Sequence, residues 1–465
     1  MRSSARSTTQ ASRSRSPTRR SRSRNPCRSS GRAGTTTRAR QARPKTTPDV
    51  AVFNSRAFVK KIILDVKASY WFVPSTFVVT ALILAELLIW LDHNPDLIPF
   101  PLPKSWVDQQ GDGARQTLAT IASTVIGVAG VLFSMTLVAV SFAAGNFGPR
   151  LIGNFMRDRS TQVSFGMLLA TFTFAIFVLR AMQGAVDEQA PFVPQYALLM
   201  AMILTVLSVF TMIYYVHHVP ETINVSNIAS DLGHRFSRDI RGLIEMRETM
   251  VVEQPVARTR AVTTEIRLND AGYIQQMDLD TLFDRAREND WLIEIHHAPG
   301  TFVSPQVAMM TVQSDADLTD RQRDTLRGAV ATGNARTEEQ ATPFLGDQMT
   351  EMVARALSPG FNDPFTAMNC LNWLHAGLLE AIEYRGGLKP METPRVAIHY
   401  TDFNDLLDPY ENCIPYTITD RMTRIRHLDL TRSLIRHAGP DHPQAERLRR
   451  LAKSLDQPEE EVRLF

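Results

Sequence analysis

Cysteine is scarce in this chain of 465 residues, which has three, Cys27, Cys370 and Cys413. No two of them stand at the spacing of metal ligands, and an odd number argues against a framework of disulfides. The sequence also lacks a Gly-rich phosphate loop, a Gly-x-Ser-x-Gly turn and a Cys-x-x-Cys motif. These absences rank an enzyme last among the possible functions, and we expect no catalytic residue, cofactor or resident metal.

Two pairs of adjacent histidines, His217-His218 and His296-His297, suggest metal binding at first sight. Successive side chains of a strand point to opposite faces, so His296 and His297 do not both reach one ion. Neither pair has a cysteine or carboxylate at ligand spacing. The pattern therefore favours histidines that hold no metal.

Acidic residues are nearly missing from the first 50 positions, where 13 Arg and one Lys accompany the single acid Asp49. Large apolar side chains are nearly missing there too, so we expect residues 1–50 to be a disordered tail. The arginines suit contact with nucleic acid or anionic lipid. The alternative is a start assigned too early, since no methionine separates Met1 from Met135. The second interpretation is favoured, and a nucleic-acid partner is not expected.

Four long apolar runs follow the tail, and each reaches or approaches the roughly 20 residues that cross a bilayer. They predict a membrane bundle of four transmembrane α-helices within residues 51–220, with the lipid bilayer as a partner. The runs cover about residues 72–91, 118–144, 163–179 and 193–216.

Lysine and arginine are concentrated before the first run and between the second and third. By the positive-inside rule, this distribution places both termini in the cytoplasm. The loop after the second run carries Arg150, Arg157 and Arg159 among apolar residues at helical spacing. This pattern favours a short amphipathic helix in the inner interface, where arginine reaches lipid phosphates, over a simple connecting turn.

Two features of the apolar runs are candidates for function. Ser123, Gly127, Gly130 and Ser134 repeat at helical spacing on the second run, and small residues let helices approach closely in lipid. Packing within the bundle is the favoured interpretation, and a pore-lining or self-associating face is the alternative. We also expect the protein to form a homo-oligomer. Glu86 is the one acid within an apolar run. A carboxylate there is costly, which makes it a candidate for an ion or proton role, although the outer interface is near.

The character of the chain changes after Pro220. A helix over residues 221–250 is predicted to link the bundle to a cytoplasmic α+β domain at 251–465. In that domain, residues 291–297 are predicted to form a strand that pairs with 301–303 across an Ala-Pro-Gly turn. Thr319 and Gln322 fit a capping box at the start of a helix. Further helices are predicted over about residues 349–357, 362–382, 417–437 and 441–455.

The most distinctive stretch runs from Arg355 to Ala367 and reads RALSPGFNDPFTA. Its glycine permits close backbone approach, and its Asn-Asp pair offers oxygens to a cation or a donor. The same residues suit a tight connection in which Pro and Gly end one helix and Asp and Pro begin the next. The structural interpretation is favoured over the functional one. The candidate functional loop comprises Arg355, Ser358, Gly360, Asn362 and Asp363.

This stretch resembles a bacterial family of predicted membrane proteins that is known only as a domain of unknown function, number 2254. The resemblance covers about residues 50–455 and leaves the Arg-rich tail outside. It implies a membrane protein, which in a bacterium we expect in the cytoplasmic (inner) membrane, but no activity. Other matching stretches are Phe133–Ser141 with Gly148–Arg150 and Asn154–Arg159, Gly272–Gln275 through Asp278–Asp280 to Gly300–Val303, and Arg336, Thr337 and Gln340.

Two functions remain compatible with the sequence. The first is a channel-like, transporter-like or oligomeric membrane module that is regulated by its cytoplasmic domain, and the Gly/Ser face of the second run supports it. The second is a membrane-anchored sensor or partner-binding protein without transport activity. A soluble ligand belongs to the second hypothesis, and the sequence does not identify it.

Overall fold

A computed structural model describes much of the chain. The described residues are 66, 69–94, 111–148, 153, 155, 158–182, 192–249, 260–384, 388 and 395–456. The Arg-rich segment 1–50 lies outside them, as do Arg150 and Arg157. Gly153 and Phe155 are helical, but most of the predicted interfacial helix is also outside the described residues.

The four apolar runs form four helices that are long and apolar enough to cross a membrane. Helix α2 has 37 residues and extends the predicted run at both ends. At 1.5 Å per residue it reaches about 55 Å, whereas the hydrocarbon layer is about 30 Å thick. Part of α2 therefore projects beyond the bilayer. The helices are α1 (Phe72–His93), α2 (Gly111–Phe147), α3 (Arg159–Ala181) and α4 (Gln195–Thr222).

Helix α3 is the most buried of the four, with Phe174 and Val178 fully enclosed. At one end of the bundle, the Asp92 carboxylate accepts hydrogen bonds from the first backbone N–H groups of α4, at 3.0 and 3.1 Å. At the other end, Asp158 caps α3 and lies 2.9 Å from Nε2 of His218. Polar contacts thus join different helices at both ends of the bundle.

The predicted linker forms helix α5 (Val225–Thr249), which follows α4 after a short turn. Its apolar side is buried through Ile228, Leu232, Phe236 and Ile240. The remainder of the described chain forms two lobes, and α5 contributes to the cores of both.

The α/β lobe contains two small sheets. One has four strands in the order β1-β5-β3-β7, and the other has three in the order β4-β2-β6. The strands are β1 (Val262–Ile266), β2 (Gly272–Met277), β3 (Leu292–Ile295), β4 (Phe302–Val303), β5 (Met310–Ser314), β6 (Val330–Gly333) and β7 (Val396–Ala397). Helices α6 (Leu279–Glu288) and α7 (Asp320–Gly328) pack on them, and α7 begins with the predicted capping box at Thr319.

The predicted pairing of residues 291–297 with 301–303 is wrong. β3 pairs with β5 and β7, and β4 pairs with β2 in the other sheet. The backbone N–H of Gly300 donates to Ile274 at 2.8 Å, and the N–H of Ile274 donates to Thr301 at 2.9 Å. The Ala-Pro-Gly turn is therefore not the turn of a tight hairpin. It connects β3 of the four-stranded sheet to β4 of the three-stranded sheet.

The helical lobe is built around one apolar core that includes Leu374, Tyr410 and Leu434. Its helices are α8 (Pro343–Ala356), α9 (Pro364–Glu383), α10 (Phe403–Glu411), α11 (Ile414–Thr417), α12 (Arg421–Ala438) and α13 (Ala445–Asp456). The short α10 and α11 were not predicted from the sequence.

The helical lobe is in contact with the projecting end of α2. Arg355, in the last turn of α8, donates from Nη1 to the carbonyl oxygen of Gly145 at 3.1 Å. Gly148 has a φ of +127°, and a Cβ there would lie 2.8 Å from the Glu351 carboxyl group. Ala143 is fully buried in the core of the helical lobe. A membrane helix and the second domain are therefore packed together directly.

Candidate functional site

A cleft of about 770 Å³ lies where α5, the α/β lobe and the helical lobe meet. This volume is within the range of small-molecule sites. Helix α5 supplies Asp239, Leu243 and Met246 to its wall, and Asp347 of α8 faces them from the helical lobe. Because three separate elements form the wall, any movement between them changes the shape of the cleft.

Residues of the separate family-like stretches come together along this cleft. The side chain of Gln340 accepts from the backbone N–H of Met277 at 2.8 Å and donates to its carbonyl at 3.1 Å. Gly300 has a φ of +87°, and a Cβ there would lie 3.1 Å from Ala341 and 3.4 Å from Nε of Arg336. The sequence pattern gave no sign of this grouping, because each residue on its own looks like part of a turn.

Ion pairs join the three elements of the wall. Arg336 of the α/β lobe donates to Asp347 at 2.5 Å and lies over the ring of Phe344, 4.9 Å from its centroid. Glu338 pairs with Arg235 of α5. It also accepts a hydrogen bond from Gln348 of α8 at 3.2 Å. These contacts connect the linker helix, the α/β lobe and the first turns of α8.

Acids outnumber arginines among the residues that line the cleft. Most have partners: Asp405 lies 2.7 Å from His399, and Asp408 pairs with Arg447 at 2.5 Å. Asp239 is different, because it forms no hydrogen bond or ion pair with any part of the chain that the structure describes. Burial raises its pKa; Arg238 and Arg235 oppose this effect, and Glu339 adds to it.

His399, Asp402 and Asp405 place their ligand atoms within 4.8 Å of one another. The two carboxylates already serve the start of α10. Asp402 accepts from the N–H groups of Asn404 and Asp405 at 2.7 and 3.1 Å, and Asp405 accepts from the N–H of Asp402 at 2.8 Å. This cluster is a capping box with a histidine beside it, and we assign it no ion.

The candidate functional loop from Arg355 to Asp363 connects α8 to α9. Oγ of Ser358 donates to the carbonyl of Arg355 at 2.7 Å, and the N–H of Asp363 donates to the carbonyl of Ala356 at 2.7 Å. Asp363 then caps α9 through the N–H of Thr366 at 3.1 Å. Asn362 adopts a left-handed φ of +44°. Gly360 is exposed.

The small-residue face of α2 does not pack against other described residues. A Cβ added at Gly127 or Gly130 would meet nothing within 4 Å, and Ser123 and Ser134 are exposed as well. The opposite side of α2 is the one that is buried, through Ala122, Val125, Ala129 and Leu132.

Two other predicted residues lie on the surface of the described structure. Glu86 is exposed on α1, beside the exposed apolar residues Ile83, Leu87 and Trp90. Arg159, the first residue of α3, is exposed too.

A polar group at the end of the bundle beside the second domain escaped the sequence analysis. Besides the Asp158–His218 contact, Thr136 of α2 and Tyr215 of α4 share a hydrogen bond, and the Tyr215 hydroxyl also donates to Leu132 at 3.0 Å. These residues come from separate segments of the chain, so the sequence does not show that they meet. The one feature that the sequence could have indicated is Asp158 as the N-cap of α3.

Comparison with known proteins places the chain in a family. Residues 67–428 match the family model described as predicted membrane protein (DUF2254). An uncharacterised protein of Mycobacterium tuberculosis is 25% identical over 325 residues, which are 68% of this chain and 61% of that protein. An uncharacterised protein of Mycobacterium bovis matches to the same extent.

The chain thus spans about three fifths of the length of these curated relatives. No solved structure matches it. The family match includes the four apolar helices and most of both lobes, so the chain belongs to the DUF2254 family of predicted membrane proteins.

Proposed function

We propose that this protein is a membrane-anchored sensor whose cleft binds a small organic cation. The observation that carries the proposal is Asp239, a partly desolvated carboxylate without a partner among the described residues, on the wall of a cleft of about 770 Å³. A positively charged group beside it would supply the missing partner.

The wall of the cleft also favours a ligand with an apolar part. Leu243 and Met246 of α5 and Leu279 of α6 line the cleft together with Asp239. An amine with an aliphatic or aromatic body can contact these side chains while its ammonium group faces the carboxylate. A hydrogen bond to a charged group contributes about 1.5–3 kcal/mol, which corresponds to about a 10- to 100-fold effect on affinity.

Helix α8 is the element that would transmit binding to the membrane. Its first turns carry Pro343 and Asp347 at the cleft, and its last turn carries Arg355 at the carbonyl of Gly145. The 14 residues of α8 form a rod about 20 Å long. A ligand that binds one position of α8 more tightly than another shifts the equilibrium between them, and the end of α2 moves with it.

The proposal includes a location. The lysines and arginines near the ends of the spans favour a cytoplasmic second domain and cytoplasmic termini. In a bacterium, this arrangement corresponds to a protein of the inner membrane that senses a cytosolic amine.

Binding to a panel of organic cations tests the proposal. The protein is placed in lipid nanodiscs and titrated with tyramine, spermidine and choline, each paired with a neutral analogue of similar size. At least one cation should raise the melting temperature of the wild type, and Asp239→Asn should weaken its binding about 10-fold or more. Glu245→Gln is the matched control, because Glu245 is exposed on the same helix and does not line the cleft.

Either of two results would defeat the proposal. The first is that no cation binds more tightly than its neutral analogue. The second is that Asp239→Asn and Glu245→Gln have the same effect on binding.

A channel-like or oligomeric module is the second candidate function. The open small-residue face of α2 favours it, because a second copy of the chain could approach closely along Gly127 and Gly130. Ion flux into liposomes, compared between wild type, Gly130→Leu and Glu86→Gln, tests this candidate. Flux that either substitution abolishes in folded protein supports the channel-like function. An absence of flux under any imposed gradient argues against it and favours the sensor.

A further inference from the structure

Large apolar side chains are exposed at the N-terminal ends of helices in the helical lobe. Phe365, in the first turn of α9, is 71% exposed, and Phe361 in the preceding loop is 43% exposed. Tyr416 of α11 and Met422 in the first turn of α12 are each 41% exposed. We call these four residues the apolar end of the lobe.

The path of α8 locates the loop that contains Phe361. The helix begins at the cleft, and Arg355 in its last turn donates to the carbonyl of Gly145 near the end of the membrane helix α2. The loop after α8 therefore lies at the side of the lobe that faces the membrane spans.

The packing of α5 on α9 locates Phe365. The two helices run in the same direction, because Gly233 lies against Trp373 and Arg241 lies 3.2 Å from Glu380. Counting back the same number of positions from Gly233 and Trp373 brings Val225 level with Phe365. Val225 follows Thr222, the last residue of the fourth membrane helix, by three positions. Phe365 thus lies at the level where α4 ends.

Helix α12 brings Met422 to the same side. Arg426 donates from Nε and Nη2 to the side-chain oxygen of Asn372 at 2.9 and 2.8 Å. Further along both helices, His375 of α9 interacts electrostatically with Arg436 and His437 of α12. The two helices therefore run in the same direction, and the first turn of α12 lies beside the first turns of α9. Tyr416 lies beside this turn, because the Thr423 hydroxyl donates to the carbonyl of the next residue, Thr417, at 3.3 Å. Arg421, also in that turn, is exposed and forms no ion pair among the described residues.

We propose that the apolar end is a lipid-contact surface, with Phe361, Phe365, Tyr416 and Met422 at the boundary between headgroups and acyl chains of the bilayer that holds the spans. Aromatic and apolar side chains bind favourably at this boundary, and a neighbouring arginine pairs with lipid phosphate. The apolar end lies on the side of the lobe that faces the four helices apolar enough to cross a membrane. The second domain is thereby held against the membrane at a second place besides its covalent linker.

Fluorescence quenching tests the proposed contact. A cysteine is introduced as Phe365→Cys or Met422→Cys in a Cys27→Ser background, and an environment-sensitive dye is attached. Cys370 and Cys413 are fully buried and should not react. The control is Phe302→Cys, which is 56% exposed in the α/β lobe. In nanodiscs, the dyes at 365 and 422 should be quenched several-fold more by nitroxide-labelled lipid than the dye at 302, and less by aqueous iodide.

Each alternative gives a distinct result. If iodide quenches all three dyes equally and the lipid quencher does not distinguish them, the apolar end faces water and the proposal is overturned. If the dyes at 365 and 422 are shielded from both quenchers, a protein surface or a second copy covers the apolar end, and the proposal is again overturned. Unchanged melting temperatures confirm that the labelled variants are folded.

Discussion

At Asp239, burial disfavours the charged carboxylate, whereas the proposed binding of a cation requires it. Its raised pKa means that the folded protein holds the proton more tightly than the unfolded chain does. Stability therefore falls as the pH rises from the usual range near 4 through the raised value, and it stays lower above that value. A residue that costs stability at neutral pH has a reason to be present when it binds a ligand.

The first prediction follows from this cost. Asp239→Asn should melt at the same temperature as the wild type or about 1–3 °C higher at pH 7, because it removes a charge whose burial outweighs the attraction of Arg238 and Arg235. Differential scanning fluorimetry in nanodiscs measures this, with Glu245→Gln as the neutral control. A variant several degrees less stable than the wild type would show that Asp239 has a structural partner.

His427 leads to a pH-dependent prediction in the helical lobe. It is fully buried, its Nδ1 lies 3.0 Å from the Thr417 hydroxyl, and burial lowers its pKa to about 3. The unfolded chain takes up a proton near pH 6.5, so the stabilising effect is present above that pH and is lost as the pH falls toward 3. We expect a loss of about 2–3 kcal/mol between pH 6.5 and pH 4.

The measurement is denaturant or thermal unfolding as a function of pH. His427→Asn keeps a polar group near the Nδ1 position but does not titrate, so its stability should vary less over this range. His437→Asn, at an exposed position of α12, should retain the wild-type slope. Identical slopes in all three proteins would contradict this assignment.

At the scale of elements, the junction between α2 and α8 depends on a glycine. Gly148 has a positive φ and faces the Glu351 side chain, so a Cβ is strained and also collides. Gly148→Ala should destabilise the protein by about 1–3 kcal/mol. Gly145→Ala, where a Cβ meets nothing within 4 Å, should be neutral or slightly stabilising because alanine favours helix. Melting temperatures compare the two, and equal effects would argue against a tight junction.

The sequence predicts some elements well for physical reasons. In lipid the backbone must satisfy its own hydrogen bonds, so an apolar run of sufficient length becomes a helix. The start of α9 was predicted as well, because Asp363 and Pro364 favour a helix N-terminus wherever they stand together. The choice of partners for the strands is not local: β4 joins β2 because Gly300 and Thr301 meet Ile274, which the pattern of residues 291–303 does not contain.

The sequence did not predict the cleft either, because the cleft forms from residues that are far apart in the chain. Its wall extends from Arg238 to Asn412 in chain order, and each acid in it reads as a solvated charge. Only the packing of α5 between the two lobes shows that Asp239 is partly desolvated. The same holds for Asp158 and His218, which meet across two membrane helices.

At the scale of the whole molecule, the contact between Arg355 and Gly145 allows the proposed ligand binding to be tested separately from its proposed effect on α2. Arg355→Met removes the hydrogen bond to Gly145 and leaves the cleft intact, because Arg355 does not line it. We expect cation affinity to stay within about fivefold of the wild type, since surface bonds of this kind contribute about 1 kcal/mol or less. The response of α2 to the ligand should be lost. A variant that loses affinity would show that the residue acts at the cleft.

Hydrogen–deuterium exchange in nanodiscs, with and without the tightest-binding cation of the panel, tests the central claim most directly. The account predicts slower exchange in residues 238–246 and 343–347 at the cleft and also in residues 141–148 at the end of α2. At a cation concentration near the Kd of the wild type, it predicts that Asp239→Asn strongly reduces both effects and that Arg355→Met abolishes only the second. Unchanged exchange at the cleft for every cation, or protection at the cleft without any change at α2 in the wild type, would contradict it.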